Sequence, residues 1–270
     1  MTRITDTFLA NKKMGTTTFI TYTVCGDPNM KSSLNILDAL VESGVDIIEL
    51  GVPFSDPIAD GPVIQRAVER TLKNKVSLYK TLNLVRLFRK KNKDTPIVLM
   101  GYMNPIEKMG YRRFSTMANQ AGIDGVLVVD LPPEESEKLT NSLKKNNIDQ
   151  IFLASPTTDD LRLKKIVRQS SGYVYYVSLK GITGSKISNI KMVKNMVGKI
   201  KKFSNLDIPV AVGFGIKNAE SAKRISTFSD GIIIGSSIVE LIEKYHNTST
   251  IMIKKIKSFT NRIRRVLNKK

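Results

Sequence analysis

Short apolar runs alternate with amphipathic stretches along the whole chain. The runs lie at 17–24, 45–51, 96–100, 125–129, 151–154, 173–177, 208–212 and 231–234, rich in Val, Ile, Leu and aromatic residues. Most are apolar at consecutive positions, so neither face of such a strand meets water. Between them, apolar residues recur at helical spacing, as in Leu34, Leu37, Leu40 and Val41. The pattern predicts helices at 63–72, 78–88, 111–121, 134–145, 159–169, 190–203, 219–225, 238–245 and 251–267. A leading helix at 3–13 carries Ile4, Phe8 and Leu9 on one side, and Asp159 is placed to cap the helix that follows it. Strands buried on both faces call for a parallel sheet covered by helices. Eight such units with no linker between them predict a (β/α)8 barrel, one domain over 1–270, with a short N-terminal helix and extra helices in the last unit. An open doubly wound sheet is the alternative, but it leaves this many strands harder to place.

A barrel directs attention to the C-terminal ends of its strands, where the loops build the site. The stretch 49–62 carries two acids there: Glu49 at the end of the second strand and Asp60 at the far end of a loop rich in Pro, Asp and Gly. Period-two alternation puts Val45, Ile47 and Glu49 on one face. A carboxyl in register with core residues is partly desolvated, which raises its pKa and suits a group that must both give and take a proton. Singly, each acid has a plainer reading: Glu49 as a strand end meeting solvent or a Lys, Asp60 as a helix start before Gly61-Pro62, Asp56 as a turn residue. Tyr102 and Asp130 follow the third and fourth strands. Tyr175 shares its face with Tyr173 and stands nearer the strand end, as a polar wall residue or a core tyrosine. Glycines crowd the last three strand ends, at Gly181 and Gly184, at Gly213 and Gly215, and at Gly235-Ser236-Ser237. Glycine lets backbone N–H groups approach an anion, and a short helix starting at Ser236 turns its positive end the same way. Tight turns explain one such loop; three neighbouring loops point to phosphate.

Charge and rare residues narrow the chemistry. The formal net charge is +19, which suits nucleic acid or an anionic membrane, yet the lysines are scattered and Lys outnumbers Arg as in AT-biased composition. We read drift, with some attraction for an anionic substrate. A single Cys and a single His leave no intramolecular disulfide and little basis for a His-based metal cluster or a Ser-His-Asp triad; no metal site is expected. No apolar run is long enough to cross a bilayer, and no signal or transit leader stands at the N-terminus.

With these motifs assembled, the chain resembles the tryptophan synthase alpha chain. The resemblance rests on ELGVPFSDPIADGP at 49–62, PIVLMGYMNP at 96–105, DGVLVVDLPPEE at 124–135, YVSLKGITG at 176–184 and VGFGI at 212–216, in the family's order. It implies retro-aldol cleavage of indole-3-glycerol phosphate to indole and glyceraldehyde 3-phosphate. Glu49 would be the principal acid/base, and Asp60 would hydrogen-bond the indole N–H. Tyr175 and Tyr102 would support binding. Thr183, Gly184, Gly213, Gly235 and Ser236 would anchor the phosphate, while Tyr22, Met100, Leu127 and Phe214 enclose the indole. The resemblance also implies an α2β2 complex with a beta chain that carries pyridoxal phosphate, this chain needing no cofactor. The segments around Asp56-Pro57, Asn104-Pro105 and Pro132 would face that partner. Two departures stand beside the site: Val24 where the family usually has Thr, and Val129 where it often has Pro or Ala. Composition and the missing leader suggest a plastid-encoded stromal protein, with a bacterial cytoplasm as the alternative.

Two rivals remain at this level. Lys180, just past the sixth strand, could serve a Schiff-base aldolase. The last helix sets Met252, Ile256, Phe259, Ile263 and Val266 opposite Lys255, Lys257, Arg262 and Arg265, which is either a nucleic-acid or membrane face or an ordinary barrel helix with a buried stripe.

Overall fold

The computed structural model describes residues 2–178, 188–204, 208–213 and 215–268. Eight strands close into a parallel barrel in chain order: β1 (Thr18–Val24), β2 (Ile47–Gly51), β3 (Ile97–Gly101), β4 (Gly125–Val128), β5 (Asp149–Ala154), β6 (Val174–Val177), β7 (Val210–Gly213) and β8 (Gly231–Ile234), which pairs back onto β1. The helices are α1 (Arg3–Lys13), α2 (Met30–Glu42), α3 (Pro62–Lys73), α4 (Leu78–Arg89), α5 (Met103–Met109), α6 (Tyr111–Ala121), α7 (Glu137–Lys144), α8 (Asp160–Gln169), α9 (Ser188–Phe203), α10 (Ala219–Ser226), α11 (Ser236–Tyr245) and α12 (Ser249–Leu267). Asp159 caps α8 as expected, its Oδ1 accepting from the Arg162 N–H at 2.9 Å.

Strand alternation divides the core in two. Ile20, Ile47, Val98, Leu127, Ile151 and Ile233 point inward and fill the barrel together with Tyr173 and Tyr175. Their neighbours, among them Phe19, Ile48, Leu99 and Val126, point outward under the helices. Helix α1 closes the N-terminal mouth by inserting Ile4 and Phe8 into the inner cluster. At the same end three aspartates solve one problem in the same way. Each stands just before a strand and accepts a backbone N–H from the first or second residue of the neighbouring strand: Asp46 from Phe19 at 2.7 Å, Asp124 from Ile97 at 2.8 Å, Asp230 from Val210 at 2.9 Å. Each is also ion-paired, to Arg264, to Arg3 and Arg89, and to Lys201 respectively. Exposed strand starts are thereby satisfied without a further strand.

Some boundaries differ from expectation. Val45 belongs to the outer cluster and its N–H returns to Leu40, so it ends the α2 turn and does not share a face with Ile47 and Glu49. The segment after β3 forms α5, with Asn104-Pro105 in its first turn, where proline needs no partner for its missing N–H. The helix expected at 134–145 is a 3-10 turn at Pro133–Glu135 followed by α7. The stripe of α12 is covered: Met252, Ile256 and Ile263 are buried and Phe259 and Val266 pack on the core, while Lys255, Arg262 and Arg265 stay exposed. The face proposed for nucleic acid or membrane is thus a helix seated on its own barrel. No helix among the described residues is long and apolar enough to cross a membrane.

Candidate active site

A cavity of about 650 Å³ opens at the C-terminal end of the barrel. One side is the loop after β2 and the start of α3, including Ala59, Asp60 and Ile64. The opposite side is Gly215, Ile216 and Lys217 after β7 with Gly235, Ser236 and Ser237 at the start of α11. Tyr22, Met100, Tyr175 and Ile233 close it from the barrel interior. Both walls are helix starts because Pro62 sits in the first turn of α3 and Gly235 precedes that of α11.

Glu49 lies just beneath this cavity, fully buried, opposite Tyr22 on β1 and Val98 on β3. Its Oε1 accepts a hydrogen bond from the Tyr173 hydroxyl at 2.5 Å. Among the described residues its Oε2 has no partner. Burial pushes the carboxyl up from 4.5 to about 8, a rise that the Tyr173 hydrogen bond moderates. A carboxylic acid in this condition is still largely protonated at neutral pH. Asp60 stands at the rim. Its Oδ2 accepts from the Tyr102 hydroxyl at 3.0 Å, and the same hydroxyl oxygen accepts the Ala59 N–H at 3.0 Å. Burial raises the Asp60 pKa and the Tyr102 bond lowers it. The phenols of Tyr22, Tyr173 and Tyr175 are pushed well above their ordinary value, first by burial and then by neighbouring acids, so all three stay neutral.

Most residues nominated from sequence meet here. Tyr22, Met100, Tyr175, Asp60, Gly235 and Ser236 line the cavity, and Glu49 stands in register beside Tyr22 of its wall. Tyr102 is buried behind Asp60 and acts on the site through that carboxylate. Leu127 is buried deeper, in the inner cluster, and does not reach the cavity wall. Gly213 ends β7 and faces inward: a Cβ there would stand 2.3 Å from the Tyr175 hydroxyl. It makes room for Tyr175, and Gly215, at φ +82°, is the glycine of that motif on the wall. Thr183, Gly184, Phe214 and the rival Lys180 lie outside the described residues. Sequence reasoning passed over Tyr173 as a site residue, whereas Gly215 was among the glycines read there as pointing to phosphate. The signal for Tyr173 was present in its shared face with Tyr175, one layer deeper in the barrel and level with a buried acid. Val24 is buried against the α3 face with Ile64 and Ala67.

Comparison with known proteins agrees with this geometry. The family model described as "Tryptophan synthase alpha chain" matches residues 8–268. The tryptophan synthase alpha chain of Hydrogenovibrio crunogenus is 48% identical over 96% of this chain and 94% of its own length. That of Cupriavidus pinatubonensis is 51% identical over 90% and 91%. The crystal structure of tryptophan synthase subunit alpha from Legionella pneumophila superposes with a TM-score of 0.92 at 38% identity, covering 99% of each chain. These relatives are bacterial, so the plastid expectation finds no support and its bacterial alternative is the one they favour. The inner tyrosines, the buried acid and the full-length match lead to one conclusion: this chain belongs to the tryptophan synthase alpha chain family.

Proposed function

We propose that Glu49 and Asp60 divide the proton work of this family's reaction, the cleavage of indole-3-glycerol phosphate to indole and glyceraldehyde 3-phosphate. The reaction is a retro-aldol step of tryptophan biosynthesis. The observation that carries the assignment is a buried carboxyl beside the cavity, with one oxygen unpartnered among the described residues and a pKa raised to about 8. Protonated at neutral pH, Glu49 can give its proton to carbon 3 of the indole. The carboxylate left behind then takes the proton of the side-chain hydroxyl as the carbon–carbon bond breaks. The bonding electrons return to the ring, and the proton count of the enzyme is restored. Between these steps the ring nitrogen carries positive charge, and Asp60, fixed by Tyr102, accepts the hydrogen bond from its N–H. Tied to Tyr173, the Glu49 carboxyl faces away from the opening. The productive step requires it to swing from that hydroxyl toward Tyr22 and Tyr175. The phosphate end of the substrate fits the other wall, where Gly215 and the free N–H groups at the start of α11 meet an anion favourably.

The alpha chain works with a beta chain in an α2β2 complex, and the pyridoxal phosphate belongs to that beta chain. The loop around Asp56-Pro57, the start of α5 and the Pro132 region follow β2, β3 and β4, at the barrel end where the cavity opens, and suit that contact. We further read the chain as one domain over 1–270, acting in a bacterial cytoplasm.

Indole release from indole-3-glycerol phosphate tests the assignment. Wild type should release indole slowly alone and faster with the beta chain. Glu49→Gln should lose roughly a hundred- to ten-thousand-fold in rate, the range for a general acid–base group. Full activity in Glu49→Gln would remove Glu49 from the mechanism while leaving the reaction in place.

A further inference from the structure

The charged residues on the cavity wall are, among the described residues, two acids and one lysine. Asp60 lies toward β2, and the opposite side carries Lys217 and Glu240 together with Gly215, Gly235, Ser236 and Ser237. Lys217 is exposed and, among the described residues, makes no ion pair within 4.0 Å. Its backbone is pinned: its N–H donates to Ser221 Oγ at 3.2 Å, within the capping box that starts α10. The anchor of the side chain is therefore fixed at the cavity wall while the ammonium has no ion-pair partner among the described residues. The one carboxylate on that wall, Glu240, stands one turn along α11 from Ser236 and is close enough to Arg66 to raise its pKa, so its charge has another cation to face.

We propose that Lys217 is a further substrate-binding residue, whose ammonium contacts the phosphate of the substrate and orients it with the indole toward Asp60. This rests on the reading above that the α11 wall takes the phosphate. Backbone N–H groups supply direction but no full charge; a lysine adds the point charge that a dianion rewards. The reverse orientation of the substrate sets phosphate against Asp60 and away from Lys217, and is disfavoured.

The test uses wild type, Lys217→Gln, Lys217→Arg and Ser236→Asp, each with the beta chain, reading KM, kcat and competitive inhibition by inorganic phosphate. Loss of one solvent-accessible charge contact should raise KM roughly three- to fivefold. Lys217→Gln should therefore raise KM and weaken phosphate inhibition by the same factor with kcat kept, and Lys217→Arg should restore both. The Lys217→Gln difference should shrink as ionic strength rises. Ser236→Asp, which sets a carboxylate at the helix start, should weaken phosphate inhibition more severely. Unchanged KM and phosphate inhibition in Lys217→Gln, with Ser236→Asp impaired, overturn the role of Lys217 and leave the phosphate wall standing. If Ser236→Asp also leaves phosphate inhibition unchanged, the phosphate wall itself is misplaced and the proposal falls with it.

Discussion

Replacing Glu49 by Gln should strengthen the fold as it removes activity, and the gain should depend on pH in a calculable way. The folded protein holds this carboxyl at about 8, against 4.5 for an ordinary glutamate. A group whose pKa is raised on folding contributes most below its unfolded value, and that contribution is lost as pH climbs through its folded value. Between 4.5 and about 8 the unfolded chain ionises Glu49 while the folded chain resists. Each pH unit in that window costs the wild type about 1.4 kcal/mol. At pH 7 the accumulated cost is on the order of 3 kcal/mol. Gln keeps an oxygen to accept from Tyr173 and removes the titration; its amide N–H replaces the acid O–H as the buried donor. Those constant terms cancel when the two proteins are compared across pH. Urea unfolding of both from pH 5 to pH 8.5 reads the slope directly. The stability difference should be small at pH 5 and widen steadily toward pH 8. Parallel curves over that range would refute the claim that burial holds Glu49 protonated.

Four other changes probe separate links. Tyr173→Phe removes the donor that moderates the Glu49 pKa, so the pKa should rise further and the alkaline limb of the pH–rate profile should move up. Tyr102→Phe removes the bond that holds Asp60 down and in place; kcat/KM should fall roughly tenfold, the worth of one such bond, and the acid limb should shift to higher pH. Gly213→Ala forces a Cβ against the Tyr175 ring, with Cε1 at 2.6 Å, and should cost about 1–3 kcal/mol in urea unfolding. Asp124→Asn, at the far end of the barrel, leaves the buried Arg89 without its carboxylate; stability should fall by about 2–4 kcal/mol with kcat unchanged.

How far the sequence carries depends on which periodicity each residue obeys. The strands are legible because both of their faces are buried, one in the barrel and one under helices, so apolar runs have no competing cause. β8 and α6 begin and end where the pattern places them. Val45 breaks the reading because apolar residues also close helix ends, and period-two counting cannot see that its N–H belongs to Leu40. α5 escapes notice since Pro105 reads as a breaker, whereas in a first helical turn it is tolerated. In the site, Glu49 stands out because acids are rare among core positions, and Asp60 because it ends the Pro-, Asp- and Gly-rich loop that Glu49 begins. Tyr173 does not, because a tyrosine in a strand has a packing role open to it and only the third dimension brings it to Glu49.

Gly213 and Gly215 show why a glycine motif alone leaves its purpose open. The device at β6 and β7 appears again on β1 and β2: a Cβ at Gly51 would stand 2.2 Å from the Tyr22 hydroxyl, just as one at Gly213 would meet Tyr175. Each glycine lies on the next strand, two residues beyond the position paired with its tyrosine, since Tyr22 pairs with Glu49 and Tyr175 with Ala211. Both rings line the cavity, each admitted by a glycine on the next strand. Removing a Cβ to admit a ring and removing one to admit an anion leave the same mark on a sequence. They separate once side-chain direction is known: Gly51 and Gly213 point inward and build the aromatic walls, while Gly215, past the strand end and in the left-handed region, turns the chain along the wall where phosphate is expected. Shape and charge in this site thus come from different glycines. A substitution that fills Gly51 or Gly213 should damage folding before it touches phosphate affinity.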